Sequence, residues 1–140
     1  MENPCAVYMS LWPEWAFSIK IKDKDFEFRN KLPAHPFNEW FVYVTVPEAS
    51  LKYVCKVGAP IEYGTASLLP SGVGNYDFND GVMTRFAIPV LSMDELEHPI
   101  PLARLRSDEF HFSPPQFFAY DSRYPELTRY IHEAGKRRVF

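Results

Sequence analysis

The sequence predicts an α+β fold dominated by β-strand, built as one domain over residues 1–140. Three observations predict it. The segments Trp40 to Val46 and Leu51 to Val57 concentrate aromatic and β-branched residues, the composition of strands. Apolar residues at helical spacing recur in only two places, near the start and near the end. The 140 residues, 46% of them hydrophobic, suffice for one buried core and are too apolar for a disordered chain.

The elements follow in order. Ala6 to Leu11 reads as a short strand leading into Trp12-Pro13. A proline is well placed in the first turn of a helix, where its missing N–H would have no partner. With Trp15, Ala16 and Ile19 at helical spacing, a helix is expected from about Pro13 to Lys22, closed by a turn at Asp23-Lys24. Phe26 to Arg29 alternates as a strand does, placing Glu27 and Arg29 on one face and the two phenylalanines on the other. Pro33 to Pro36 is a stiff connection, and Pro47 closes the strand Trp40 to Val46. In the strand Leu51 to Val57, Tyr53, Cys55 and Val57 alternate with Val54 and Lys56. Gly, Pro, Asn, Asp and Ser then mark a long irregular excursion from Gly58 to Gly81.

Arg85 to Met93 returns to strand, with Pro89 pointing to an edge or a bulge. Asp94 to His98 is expected as a turn or short helix, Pro99 to Arg104 as extended chain, and Leu105 to Phe112 as a loop or helical turn. Phe117 to Tyr120 reads as the last strand. A final helix has Asp121 or Ser122 near its cap, Pro125 in its first turn, and Leu127, Tyr130, Ile131 and Ala134 as its apolar stripe. Gly135 and Lys136-Arg137-Arg138 are helix stop signals, so the basic run is expected to cap this helix in preference to meeting a partner.

Composition excludes several functions. The formal net charge of −3 argues against coating long nucleic acids by bulk electrostatics, while leaving room for a local basic site such as Lys20, Lys22, Lys24, Arg29 and Lys31. The apolar runs are too short for a membrane span. The N-terminal Met-Glu-Asn-Pro-Cys has no secretory pattern, which leads to the expectation of a cytoplasmic protein. Cys5 and Cys55 show no metal spacing and are expected to stay reduced. His35, His98, His111 and His132 are too scattered for a metal site. Gly72-Val-Gly74 meets Asp77 where a dinucleotide fingerprint has its third glycine, and Asp77 to Gly81 places its acids at the wrong offsets for a calcium loop. No cofactor is expected.

The informative segment is Lys24 to Arg29. A cation, a carboxylate and a guanidinium held close together can recognise an anion or the hydrogen-bonding edge of a base. On physics alone an exposed Glu27–Arg29 ion pair of little energetic weight is the favoured reading. Trp15 reads as core, and Trp12 equally as core or as a stacking surface.

The ordered strings SLWPEWA, KDKDFEFR and VYVTVP resemble the pattern of the ASCH domain: S-I-K-P-x-x-A, then G-x-K-x-x-E-x-R, then a strand ending in Ser/Thr-x-Pro. GVGNYDFNDG, HPIPLARLR and PPQFFAY are similar to further segments of one bacterial subfamily, so the resemblance runs from about Ser10 to Ile131. It implies a PUA-like fold, a small β-barrel flanked by helices, and a cleft beside the motif that binds RNA or a modified nucleobase. Position by position it implicates Lys24, Glu27 and Arg29, together with Ser10, Thr45, Pro47 and Gln116. Trp12, or an aromatic from Tyr76 to Phe78, would stack on the base. Two departures stand out: Trp12 occupies the usual Lys position, and Lys22 the motif Gly.

Some relatives are hydrolases acting on acetylcytidine or RNA, which keeps an enzymatic alternative with Lys24 as base and Glu27 as proton relay. The acetylcytidine enzymes carry Thr where Glu27 stands, so Thr45 would have to face the cleft to supply a hydroxyl. A third alternative is a protein-interaction domain using the loop over 58–81.

Overall fold

A computed structural model describes residues 4–82 and 85–140; Met1–Asn3, part of the segment read for a leader, lie outside the described residues. Among the described residues there are eight strands, all in one mixed sheet, and four helices. The order along the sheet is β2 (Phe26–Arg29), β6 (Phe86–Pro101), β4 (Ser50–Val57), β3 (Phe37–Val44), β1 (Cys5–Leu11) and β7 (Phe118–Tyr120). Two short strands, β5 (Ile61–Glu62) and β8 (Lys136–Arg138), also pair with β6. β1 and β3 run parallel and the other pairs antiparallel. Register shifts in the β1–β3, β3–β4 and β4–β6 pairings add local twist, and the sheet curls into a half-barrel.

Strand alternation sorts the core into two layers. Val7, Met9 and Leu11 point with Trp40, Val42 and Cys55 toward the side covered by α1 (Pro13–Lys20). Ala6 and Tyr8 point with Phe41 and Tyr43 toward α3 (Leu102–Leu105) and α4 (Pro125–Glu133). Leu127 and Ile131 of the expected α4 stripe are buried, Tyr130 is partly buried, and Ala134 lies just past the helix. No helix among the described residues is long and apolar enough to cross a membrane.

Several expectations need correction. α1 ends at Lys20, two residues early, and β3 is displaced toward the N-terminus of its expected span. Asp94 to His98 is neither turn nor helix but the middle of a 16-residue β6. Its acidic residues are held extended because β4 pairs with them in register and β8 hydrogen-bonds alongside. Extended chain persists only to Pro101, after which Leu102–Leu105 turns helical.

Phe118–Tyr120 is not the last strand. The basic run forms β8, with Arg137 3.2 Å from Glu95 and Arg138 2.6 Å from Asp94. Only Lys136 acts as the expected cap, its Nζ donating to the Ala134 carbonyl at 3.0 Å. Asp121 and Ser122 sit in a short 3-10 turn before α4, whose own N-terminus has no side-chain cap.

The excursion over 58–81 is partly structured. It contains β5 and a one-turn helix α2 (Asn75–Asn79), and buries Leu68 and Phe78 against Ala87. Val73 N–H donates to the Asp23 carbonyl at 3.0 Å, and the buried Asn75 amide donates to Asp25 at 3.0 Å. These bonds clamp the loop onto the turn that carries Lys24.

Candidate functional site

The turn after α1 shapes the site. Lys22 has φ of 66°, the left-handed conformation that glycine adopts most easily. Lysine thus holds a left-handed turn in spite of its Cβ, at the position where the resembled motif has glycine. Asp23 and Lys24 N–H both donate to the Ser18 carbonyl at 3.0 Å, which aims the Lys24 side chain inward under Trp15.

Lys24 and Glu27 are buried at 5% and 7% exposure, so the reading of an exposed ion pair fails. Lys24 Nζ lies 3.5 Å from Glu27 Oε1, and Arg29 Nη2 donates to Glu27 Oε2 at 2.9 Å. One carboxylate thus bridges two cations. Burial pulls the Lys24 ammonium below its ordinary range; Glu27 opposes that shift and Arg29 adds to it. The ammonium also faces two aromatic rings, Phe28 at 4.5 Å and Trp15 at 5.4 Å from the centroids.

Above this triad opens a cleft of about 740 Å³, within the range of roughly 300–1,000 Å³ typical of small-molecule sites. Ser10, Trp12, Lys24, Glu27, Arg29, Thr45 and Gln116 all line it. Trp12 is 61% exposed, a free aromatic face at the rim. Thr45 faces the cleft, its backbone N–H held by the Leu11 carbonyl at 2.9 Å. Ser10 Oγ donates to the Pro115 carbonyl at 2.9 Å and so anchors the loop that carries Gln116. Pro47 stands apart: it is exposed, follows a cis peptide bond and is not among the lining residues.

Among solved structures, the crystal structure of ASCH from Zymomonas mobilis superposes with a TM-score of 0.71 at 22% identity, over 95% of this chain and 98% of that one. Two single-substitution mutants of the same protein match with TM-scores of 0.68 and 0.65, at 22% and 23% identity, over 96% and 93% of this chain and 100% and 99% of theirs. The fold is that of the ASCH domain. The likeness is one of fold; no family model and no curated protein matches the sequence.

Within this ASCH fold the cleft also has walls that the residue pattern did not reveal. Trp15, read as core, packs on the core with one side and lines the cleft with the other. Val73, Gly74 and Asp77 reach it from the loop over 58–81. The stacking role considered for Tyr76 to Phe78 is not supported: Phe78 is fully buried against Phe28, and Tyr76 is exposed away from the lining. Gly72 and Gly74, which fail as a nucleotide fingerprint, have a packing role. A Cβ on Gly74 would lie 2.6 Å from Phe28 Cε2, and one on Gly72 2.4 Å from Asp25 Oδ1. Their absence of side chains lets the loop close on β2 and on Asp25 just before it. The described residues contain no cluster of side chains able to hold a metal ion.

Proposed function

We propose that this chain binds RNA or a modified nucleobase in the cleft over Lys24, Glu27 and Arg29. The observation that carries the proposal is a buried cation–carboxylate–cation triad beneath a cleft walled by Trp12 and Trp15. Within the triad two cations meet one carboxylate, and Asp77 balances the lining as a whole, an arrangement suited to a ligand that carries both a phosphate and amino groups. Glu27 and Asp77 offer acceptors for the amino groups of a base, and Trp12 offers a stacking face.

The test is quenching of tryptophan fluorescence on titration with short single-stranded RNA, duplex RNA and a panel of modified nucleosides. Saturable quenching that is lost in Lys24→Met, with circular dichroism unchanged, supports the reading. Absence of saturable binding by every ligand in the panel overturns it.

A second reading, hydrolysis of a modified nucleoside or of RNA, draws on one observation, the lowered basicity of Lys24. An amine that gives up its proton more readily is a better general base near neutral pH. Turnover of acetylcytidine or single-stranded RNA by wild type, absent in Lys24→Met, would establish it.

A further inference from the structure

We propose that the cleft is one end of a longer groove for single-stranded RNA, in which the neighbouring nucleotide occupies a second pocket, its base on Phe117 and its phosphate against Lys31. The proposal rests on the nucleic-acid reading of the cleft. The second pocket, of about 290 Å³, is lined by Lys31, Leu32, Pro33, Phe117, Phe118 and Tyr120.

The two pockets abut along both walls. On one wall Gln116 faces the cleft, and its chain neighbour Phe117 faces the second pocket. On the other, Arg29 lines the cleft and lies 5.3 Å from the ring of Phe118, which lines the second pocket. The boundary between them is therefore a guanidinium lying over an aromatic ring, two side chains in cation–π range. It falls where the half-barrel is open, since β2 and β7 are the two ends of the strand order.

The chemistry of this second pocket suits a flanking nucleotide. Phe117 is 58% exposed, a large apolar face left in water in the pocket that Lys31 also lines. Lys31 is exposed, two residues beyond Arg29, and both cations can meet a phosphate chain. An aromatic ring with a nearby cation is the usual means by which single strands are held without reading their sequence. An extended peptide added to the free edge of β7 would also pass here. It would make little use of Lys31 or of the Arg29–Phe118 pair, so RNA is the better fit.

The experiment compares uridine monophosphate with a single-stranded RNA octamer of mixed sequence, using wild type, Phe117→Ala and Lys31→Ala. Both substitutions are at exposed positions outside the cleft lining. The octamer should bind wild type at least about tenfold more tightly than the mononucleotide. Each substitution should weaken the octamer by about five- to tenfold, in line with the loss of one stacked base or one phosphate contact, and leave the mononucleotide unchanged. Equal affinity of octamer and mononucleotide, or octamer binding unaffected by both substitutions, overturns the extended groove while leaving the cleft reading intact. Binding of neither ligand overturns the extended groove and the RNA reading of the cleft together, and leaves a modified nucleobase as its only ligand. Saturable binding of an extended β-branched decapeptide in place of the octamer replaces the RNA strand with a peptide.

Discussion

The Arg29 guanidinium donates to the Ser10 carbonyl at 3.2 Å, and in doing so joins strands from opposite ends of the sheet order. β2 opens that order and β1 stands next to its end, with no backbone ladder between β2 and β7. The half-barrel is drawn together at this seam by side chains, and the same guanidinium holds Glu27. One residue therefore contributes both to closing the fold and to building the cleft.

Arg29→Ala should lower stability by about 2 kcal/mol, the scale for losing charge-assisted hydrogen bonds at a half-buried site. Arg29→Lys should recover less than half, because an ammonium lacks the planar fork that serves Glu27 and the Ser10 carbonyl together. Urea unfolding of the three proteins at neutral pH measures both effects.

Glu27→Gln leaves two cations facing each other in a buried site and should cost about 3 kcal/mol near neutral pH. The Lys24 pKa is depressed below its ordinary 10.5 in the folded protein. Between the two values the unfolded chain binds more protons than the folded one, so the Lys24 contribution to stability rises with pH across that window. Removing Glu27 lowers the folded value further and widens the window. The stability deficit of Glu27→Gln should therefore shrink as pH is raised toward 10, and Glu27→Gln combined with Lys24→Met should lose that slope. Unfolding curves from pH 6 to 10 decide it; a constant deficit would show that Lys24 is not the titrating group.

Gly74→Ala should destabilise the loop that walls the cleft. The residue has φ of 83°, and an added Cβ falls against the Phe28 ring. Together the left-handed backbone and the overpacking should cost about 2–4 kcal/mol. Faster amide exchange in the loop over 58–81, with exchange in β3 and β4 unchanged, is the expected signature.

Lys22→Gly should stabilise the protein by up to about 1 kcal/mol, since glycine relieves the left-handed strain at a smaller entropic cost in the unfolded chain. Thermal unfolding tests this. Ligand affinity should not change, because Lys22 does not line the cleft.

Much of this site was legible because it is local. Lys24, Glu27 and Arg29 lie within six residues, and strand alternation alone places Glu27 and Arg29 on one face. What alternation cannot give is burial: the same residues at a solvent-facing edge would be an ordinary ion pair, and it is Trp15 of α1, Phe28 and the loop over 58–81 that enclose them. The strand through Asp94 to His98 was hidden for a related reason. Its acids, and Pro99 just beyond them, speak against a strand, and the arginines that neutralise Asp94 and Glu95 come from more than forty residues away, with separations of 42 and 44 for the two pairs. Trp15 was half legible, since helical spacing identifies the face turned to the core but not a second face turned to a cleft.

β6 exchanges backbone hydrogen bonds with β2, β4, β5 and β8, so it is the common spine of the sheet. A strand flanked on both sides along so much of its length has no route to deuterium that spares the rest of the fold. Its amides around Asp94 and Glu95 should be among the last to exchange, released only when the whole molecule opens. The stretch whose composition looks most like a surface turn should thereby be the part of the sheet that lets go last.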